Sequence, residues 1–481
     1  MSDWTDTRKI TTRLIICGDL ELTTPAHLGS GEIVGSTDMP LLRDALDDRP
    51  LLTGTSLTGA LRANLLARTK GYGQKEQRHD KDGQLSIIQL LLGGVKGDEE
   101  GDQSPLIVDD ALAQPTVAEI RDGVRINPET RIAEDKFKYD GEFLPPGVRF
   151  PLRFELLLAD DVYQEERLGM LVAALQALEQ GEIAIGARKT RGFGRCRVVG
   201  WRMTRFDLRQ PEDLFDWLTL DENTYPALTQ AELQPITALI LVHPKAHDQR
   251  QLFTIRAVFD LASPLLIRSE EPLTNDDHQP DVSHLRDGVG RPIISGTSLA
   301  GVLRGRAARI LHTLGLKQDN PDSLLNKLFG KDMLQHKMNP TASRLIVEEA
   351  AILRPNYLVQ NRVAIDRFTG GAFDTALFAE APQVDGTVEL RLSIRNPEDC
   401  QIGLLLLLLK DLWTSDLPLG GTSSIGRGRL AGKLATLTYQ RGPTEETWNI
   451  RFSGDRLTIE GDRQKLEDFV QALCGGTHAR D

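Results

Sequence analysis

The chain has 481 residues, 40% of them hydrophobic, enough for two or three separate cores. Its 69 acidic residues outnumber 57 basic ones, and a net charge of −12 excludes a uniformly basic nucleic-acid binder; such a role needs lysine and arginine clustered locally. Four scattered cysteines without a C-x-x-C pair argue against a disulfide framework or zinc site and fit a reducing cytoplasm, and no apolar run approaches the roughly 20 residues of a membrane span.

The opening MSDWTDTRK lacks the apolar core of a signal peptide. Thr11–Leu22 then puts Leu14, Ile16, Leu20 and Leu22 on one face, which predicts a half-buried strand. A glycine-rich loop follows, ending near Met39 and Pro40. Gly54-Thr-Ser-Leu-x-Gly-x-Leu-Arg62 opens a helix with Thr55 and Ser56 as N-cap candidates and Leu57, Leu61 and Leu65 as its apolar stripe. The polar stretches 69–84 and 96–104 read as loops. Leu106–Ala111 begins as a short strand, Arg125–Tyr139 is polar, and residues 152–158 alternate as another strand. Residues 164–180 carry the apolar spacing of an amphipathic helix. Gly186–Arg195, GARKTRGFGR, is a glycine- and base-rich turn into a closing strand, Cys196–Trp201.

The second half says this again. Phe253–Leu261 alternates, and a polar loop leads to Gly296-Thr-Ser-Leu-x-Gly-x-Leu-Arg304. Leu345-Ile-Val-Glu-Glu-Ala answers Leu106-Ile-Val-Asp-Asp-Ala, and GGTSSIGRGR at Gly420–Arg429 answers the first glycine loop. Matched features in the same order, about 240 positions apart, indicate an internal duplication. The expected division is residues 1–201 as first repeat, 202–249 as connector with a short helix at Glu212–Leu218, 250–440 as second repeat, and 441–481 as a small β-β-α appendage. Each repeat reads strand, loop, helix, strand, polar insertion, strand, helix, glycine loop, strand. The fold class is α+β, two tandem ferredoxin-like (RRM-like) units with loop insertions, an order shared with many RNA-binding sheets.

Two features invite chemistry. The Gly-Thr-Ser helix start offers backbone N–H groups and a positive dipole end to a phosphate, although a plain cap needs the same residues. The glycine loops carry Arg188, Lys189, Arg191 and Arg195, then Arg427 and Arg429. These suit a sugar-phosphate chain, or equally a turn whose arginines meet the surplus acids. Neither loop fits G-x-x-x-x-G-K-[ST], so nucleotide hydrolysis is not indicated.

The repeated Gly-Thr-Ser-Leu-x-Gly-x-Leu-Arg together with a later glycine-rich loop resembles the RAMP superfamily of CRISPR-associated proteins, most of all the backbone subunits of type III effector complexes in a tandem, type III-D-like form. The resemblance spans roughly 13–200 and 250–435. It implies ferredoxin-like domains, with an Asp in the loop before each helix cleaving target RNA. The matching strings are Asp38-Met-Pro-Leu-Leu-Arg-Asp44 and Asp281-Val-Ser-His-Leu-Arg-Asp287. Asp38 and Asp281 are thus the implied catalytic residues and the implied holders of Mg²⁺ or another divalent cation. Asp281 lacks the following Pro and stands near further acids (Glu270, Glu271, Asp276, Asp277). Implied RNA contacts are His27, Ser56, Arg62, Arg188, Lys189, Arg191, Arg195, Ser298, Arg304, Arg427 and Arg429. Leu266-Ile-Arg268 stands where the first repeat has His27-Leu-Gly.

Implied partners are CRISPR guide RNA, complementary target RNA, other RAMP backbone and cap subunits and a large polymerase-like subunit, all cytoplasmic, with no membrane. The alternative is a purely architectural guide-binding subunit. A guide-processing nuclease is a third reading, which would need a general acid–base pair, and His27 and His284 are poor material for one.

Overall fold

The computed structural model describes the chain except residues 1–8, 32–36, 78–85, 95–102, 128–129, 131–132, 221–232, 244–246, 270–279, 317–322, 332–340, 454–455 and 475–481. The acids Glu270, Glu271, Asp276 and Asp277 therefore lie outside the described residues. Contacts divide the chain into two compact units. The first contains Met1–Gly123, Tyr139–Lys189 and Phe193–Arg250; the second contains Gln251–Asp481 with Val124–Lys138 and Thr190–Gly192.

Up to Arg250, leaving two-residue strands aside, the elements are β1 (Ile10–Leu22), α1 (Gly54–Lys70), α2 (Ile87–Leu92), β2 (Leu106–Val108), β3 (Glu119–Ile126), β4 (Ala133–Phe143), β5 (Arg149–Ala159), α3 (Gln164–Glu179), β6 (Cys196–Asp207), α4 (Pro211–Leu218) and α5 (Ile236–Leu239), of which β3 and β4 include residues grouped with the second unit. The sheet runs β2-β5-β1-β6 with every neighbour antiparallel. With α1 and α3 as the crossovers, this is the strand order of a βαββαβ sheet. Register places Ile16 of β1 between Phe154 and Met203. Alternation therefore sends Leu14, Ile16, Leu20 and Leu22 into one core with Phe150, Leu152, Phe154 and Leu156. Against that face lie Leu57, Leu61 and Leu65 of α1 and Leu171, Leu175 and Leu178 of α3. Fully burying each such side chain contributes about 1.5–3 kcal/mol.

The helix cap stands earlier than the sequence pattern suggests. Thr53, not Thr55 or Ser56, is the N-cap of α1, its side chain accepting from the Ser56 amide at 3.2 Å. The chain is extended at Thr53 and turns helical at Gly54, so the first residue of the motif is already inside the helix. Two further departures concern the polar stretches. Arg125–Tyr139 contributes to the paired strands β3 and β4, and the segment after the first loop folds as α2. The connector packs on this unit: Trp201 exchanges backbone bonds with Gln234, and Ile236 donates its amide to Glu179 Oε1 at 2.7 Å.

The second unit contains β7 (Gln251–Leu261), β8 (Val282–His284), α6 (Gly296–Thr313), α7 (Leu324–Phe329), β9 (Leu345–Val347), β10 (Ala350–Leu353), β11 (Gln360–Ile365), β12 (Ala372–Ala381), β13 (Thr387–Arg395), α8 (Asp399–Trp413), β14 (Leu430–Arg441), β15 (Thr444–Ser453), β16 (Arg456–Glu460) and α9 (Arg463–Cys474). Its sheet has β9 and β10 on β13, then β7 and β14, the order of the first unit's sheet, extended by β15 and β16. The appendage thus continues the sheet edge, and Leu466, Phe469 and Leu473 of α9 join the same core as Phe253 and Leu408. Ser295 caps α6 as Thr53 caps α1. No disulfide joins the cysteines, and no helix among the described residues is long and apolar enough to cross a membrane.

Candidate nucleic-acid interface

Each glycine loop folds back on the loop that follows the first strand of its repeat, and the two sets of hydrogen bonds coincide. In the first, the Gly194 amide donates to Pro25 O and the Ala187 amide to His27 O; in the second, Gly428 donates to Pro264 O and Gly421 to Leu266 O, all at 2.7–2.9 Å. Glycine is required where these chains touch. A Cβ on Gly186 would lie 2.3 Å from His27 O, and one on Gly420 lies 2.4 Å from Leu266 O, both at positive φ. Arg195 and Arg429 close the loops through their backbone amides, bonded to the hydroxyls of Thr24 and Ser263 at 2.9 Å each.

The carboxylates fall on matching ground. Asp38 is exposed and accepts from the Asp140 amide through Oδ2 at 3.2 Å, while its own amide donates to Asp140 Oδ1 at 2.8 Å. Asp281 is also exposed and accepts through Oδ2 from the Ala379 amide at 2.7 Å. In both repeats the segment carrying the Asp runs parallel to the hairpin strand, Met39 beside Gly141 and Val282 beside Glu380. Each carboxylate keeps Oδ1 without a protein partner among the described residues. Among those residues, no group of three or more His, Cys, Asp or Glu side chains is placed to hold a metal ion.

The arginines divide into two kinds. Arg188 takes a left-handed conformation, φ 55°, and stacks over the Tyr139 ring at 4.6 Å while donating to the Tyr139 hydroxyl at 2.9 Å and Met39 Sδ at 3.2 Å. Its cation thus stands on the residues next to Asp38 and Asp140. Lys189 and Arg429 are exposed, and Arg195 is half-buried. By contrast, Arg62 donates to the carbonyls of Leu92 and Gly93 at the end of α2, and pairs with Glu76 at 2.8 Å. Arg304 repeats that contact on Gly330 O at 2.8 Å and Asn326 at 3.3 Å, at the end of α7. The last residue of each motif therefore braces a helix C-terminus, where a cation also complements the dipole. Arg427 is buried with Glu380, 5% and 1% exposed, at 2.8 Å, and Arg362 completes the cluster at 3.2 Å. Arg191 is grouped with the second unit, its guanidinium toward Phe329 O; burial, then the neighbouring Arg304, lowers its pKa.

Of the implied RNA contacts, Arg62, Arg304 and Arg427 thus have their guanidinia engaged inside the fold. His27 is engaged likewise. It is 5% exposed, lies 5.6 Å from the Phe143 ring, and donates Nδ1–H to the Glu142 carbonyl at 2.9 Å. Ser56 and Ser298 remain at the helix starts, but each hydroxyl is knitted to the cap, on Thr53 and Ser295, at 2.9 Å. His284 is 2% exposed, and its ring satisfies the Ile267 amide and the Ile293 carbonyl, which fits a neutral ring with Nε2–H. Burial lowers its pKa to about 4.

Sequence reading missed Asp140, Glu142 and Glu380. The first two sit in β4, within or beside a stretch recognisable only as polar, and Glu380 sits in the answering strand. The available signal was the alternation Asp140-Gly141-Glu142, which puts both carboxylates on one side of a strand.

The model of the RAMP superfamily matches residues 19–197 and again 258–431, one match in each half of the chain. The chain is also similar to the CRISPR system Cms endoribonuclease Csm3 of Enterococcus italicus, 30% identical over 88 residues, 18% of this chain and 40% of that protein. The chain thus spans well under half the length of that curated relative. With the family match covering well over half of its length, and both matched segments carrying the same sheet order and the same glycine-loop clasp, the chain belongs to the RAMP superfamily.

Proposed function

We propose that this chain is a backbone subunit of a type III CRISPR ribonucleoprotein, built from two tandem ferredoxin-like RAMP domains with a β-β-α appendage. In this reading it binds guide RNA and cuts complementary target RNA at Asp38 and Asp281. The observation that carries the reading is the repeated placement of an exposed carboxylate, held through Oδ2 by a hairpin-strand amide, with Oδ1 left outward. Its similarity to a protein named as a CRISPR endoribonuclease supports the same chemistry.

The reaction is an internal displacement. The 2′-hydroxyl oxygen attacks the adjacent phosphorus, the bond to the 5′-oxygen breaks, and the products are a 2′,3′-cyclic phosphate and a 5′-hydroxyl. Oδ1 of Asp38 or Asp281 takes the 2′-hydroxyl proton as general base, and water protonates the leaving oxygen. A divalent cation such as Mg²⁺ on the same carboxylate would offset the phosphate charge, completing its shell with phosphate oxygens and water as Mg²⁺ commonly does. Arg188 and Lys189 in the first repeat and Arg429 in the second supply cations for the sugar-phosphate backbone, Arg188 being fixed on Tyr139 before RNA arrives. Base pairing with the guide carries sequence, so the protein reads backbone and shape. Other RAMP backbone and cap subunits and a large polymerase-like subunit are the proposed protein partners, in the cytoplasm.

The test is single and double replacement of Asp38 and Asp281 by Ala in the assembled complex. Loss of one target cut per substitution, with assembly and target binding retained, supports the reading. Cuts that persist in the double variant leave an architectural subunit. Target with a 2′-deoxy residue at the cut position should resist cleavage.

A further inference from the structure

We infer that Asp140 is a positioning residue for Asp38, a role that rests on Asp38 being the cutting residue of the first repeat. The two repeats hold their carboxylate-bearing segments by different means. In the first, Asp38–Leu41 is tied to β4 by four bonds. Asp38 N–H meets Asp140 Oδ1 at 2.8 Å, Asp140 N–H meets Asp38 Oδ2 at 3.2 Å, Glu142 N–H meets Met39 O at 3.0 Å, and Leu41 N–H meets Glu142 Oε2 at 3.0 Å. Three of the four run through side-chain carboxylates, and two of those, of Asp140 and Glu142, are supplied by β4.

In the second repeat those carboxylates are gone. Gly141 pairs with Met39 as Glu380 pairs with Val282, so Asp140 answers to Ala379 and Glu142 to Ala381. There the segment Val282–His284 is a true strand on β12, and the buried His284 ring anchors it from behind. In the first repeat, where Met39 makes only an isolated bridge, the side chains of Asp140 and Glu142 replace that regular pairing.

The reciprocal pair fixes Asp38 at both ends. Its backbone amide is aimed into Asp140, its Oδ2 is held by the Asp140 amide, and Oδ1 is left for substrate. A general base must sit within hydrogen-bond reach of the proton it removes, and misplacement of about 1 Å can cost 10²-fold. Losing the Asp140 carboxylate keeps the amide that holds Oδ2 but frees the Asp38 backbone.

The experiment uses the assembled ribonucleoprotein with its own guide, and a 5′-labelled RNA complementary to that guide. Asp140→Ala should slow the Asp38-dependent cut at least about tenfold in single turnover, with target affinity and the Asp281-dependent cut unchanged. Asp140→Asn retains an acceptor for the Asp38 amide and should restore a rate near that of the parent. The inference is overturned if Asp140→Ala cuts at the parent rate, if Asn fails to rescue, or if both cuts and target affinity fall together, which would mark a general structural role. Asp38→Ala on the same substrate separates the two claims. If it spares both cuts, the catalytic reading and this inference fall together; if it removes one cut that Asp140→Ala spares, the inference alone fails.

Discussion

The α-carbon of Gly54 faces the carbonyl oxygen of Val108 so closely that a Cβ would stand 2.1 Å from it. The second repeat keeps the relationship: a Cβ on Gly296 would lie 2.5 Å from Val347 O. Each repeated motif therefore starts with glycine because helix and strand backbones touch there, whatever RNA does nearby. Gly59, on the same helix, has nothing within 4 Å of its Cβ position. Gly54→Ala should destabilise by about 1–3 kcal/mol through overpacking, whereas Gly59→Ala should stabilise by about 0.5–1 kcal/mol through helix propensity. Urea denaturation of both variants checks the contrast, and equal shifts would contradict the packing argument.

Arg427 and Glu380 form an ion pair whose side chains are almost wholly buried. Removing one partner of such a pair leaves a charge without compensation, at about 3–5 kcal/mol. Arg427→Met should therefore lower stability by that order, with Arg362, still at 3.2 Å, softening the loss. Arg429→Met, at an exposed position two residues on, should leave the denaturation midpoint within about 0.5 kcal/mol of the parent. If the two variants unfold alike, the burial argument is wrong.

These two arginines show where sequence reading stops. Alternation and helical spacing located β1, β5, α3 and β7 because one apolar face per element is enough to define each. The duplication was visible because its anchors are glycines and a helix cap, residues that local backbone geometry dictates. Which of Arg427 and Arg429 faces inward depends on Glu380, nearly fifty residues away and brought close by the pairing of β8 with β12. His27 entered as an implied RNA contact through the family resemblance alone, which says nothing of its burial. Its burial follows from Phe143 and the clasp of Gly186, neither of them nearby in sequence. The Asp140 bracket was hidden for the same reason, since only the parallel approach of Met39 to Gly141 creates it.

His284 gives the second unit a defined pH response. Its folded pKa, lowered to about 4 by burial, lies below the ordinary 6.5 of the unfolded chain. Between those values the unfolded state binds the extra proton, so stability is unaffected above pH 6.5 and is lost as pH falls toward 4. The full loss is on the order of 3 kcal/mol. In the first repeat the corresponding position is Leu41, also buried. His284→Leu should flatten this part of the stability profile, measured by urea denaturation between pH 4 and 7. An unchanged slope would mean that other groups carry the acid sensitivity.

Arg62 and Arg188 belong to the same repeat and invite opposite expectations. Arg62 terminates α2 through two carbonyls that otherwise lack intrahelical partners. Arg62→Ala strands those acceptors and Glu76, and should lower stability by about 1–3 kcal/mol while changing RNA affinity only in proportion to the folded fraction. Arg188 makes two neutral side-chain bonds and one ring contact, so Arg188→Ala should leave stability nearly intact. If Arg188 grips a phosphate, its loss removes one released counterion, and the slope of log affinity against log salt should fall by about 0.7 for a single strand or 0.9 for a duplex. Titrating guide-length RNA at several salt concentrations, alongside melting curves for both variants, separates the two. An unchanged salt slope for Arg188→Ala, or a reduced one for a fully folded Arg62→Ala, would reverse the assignment of brace and grip.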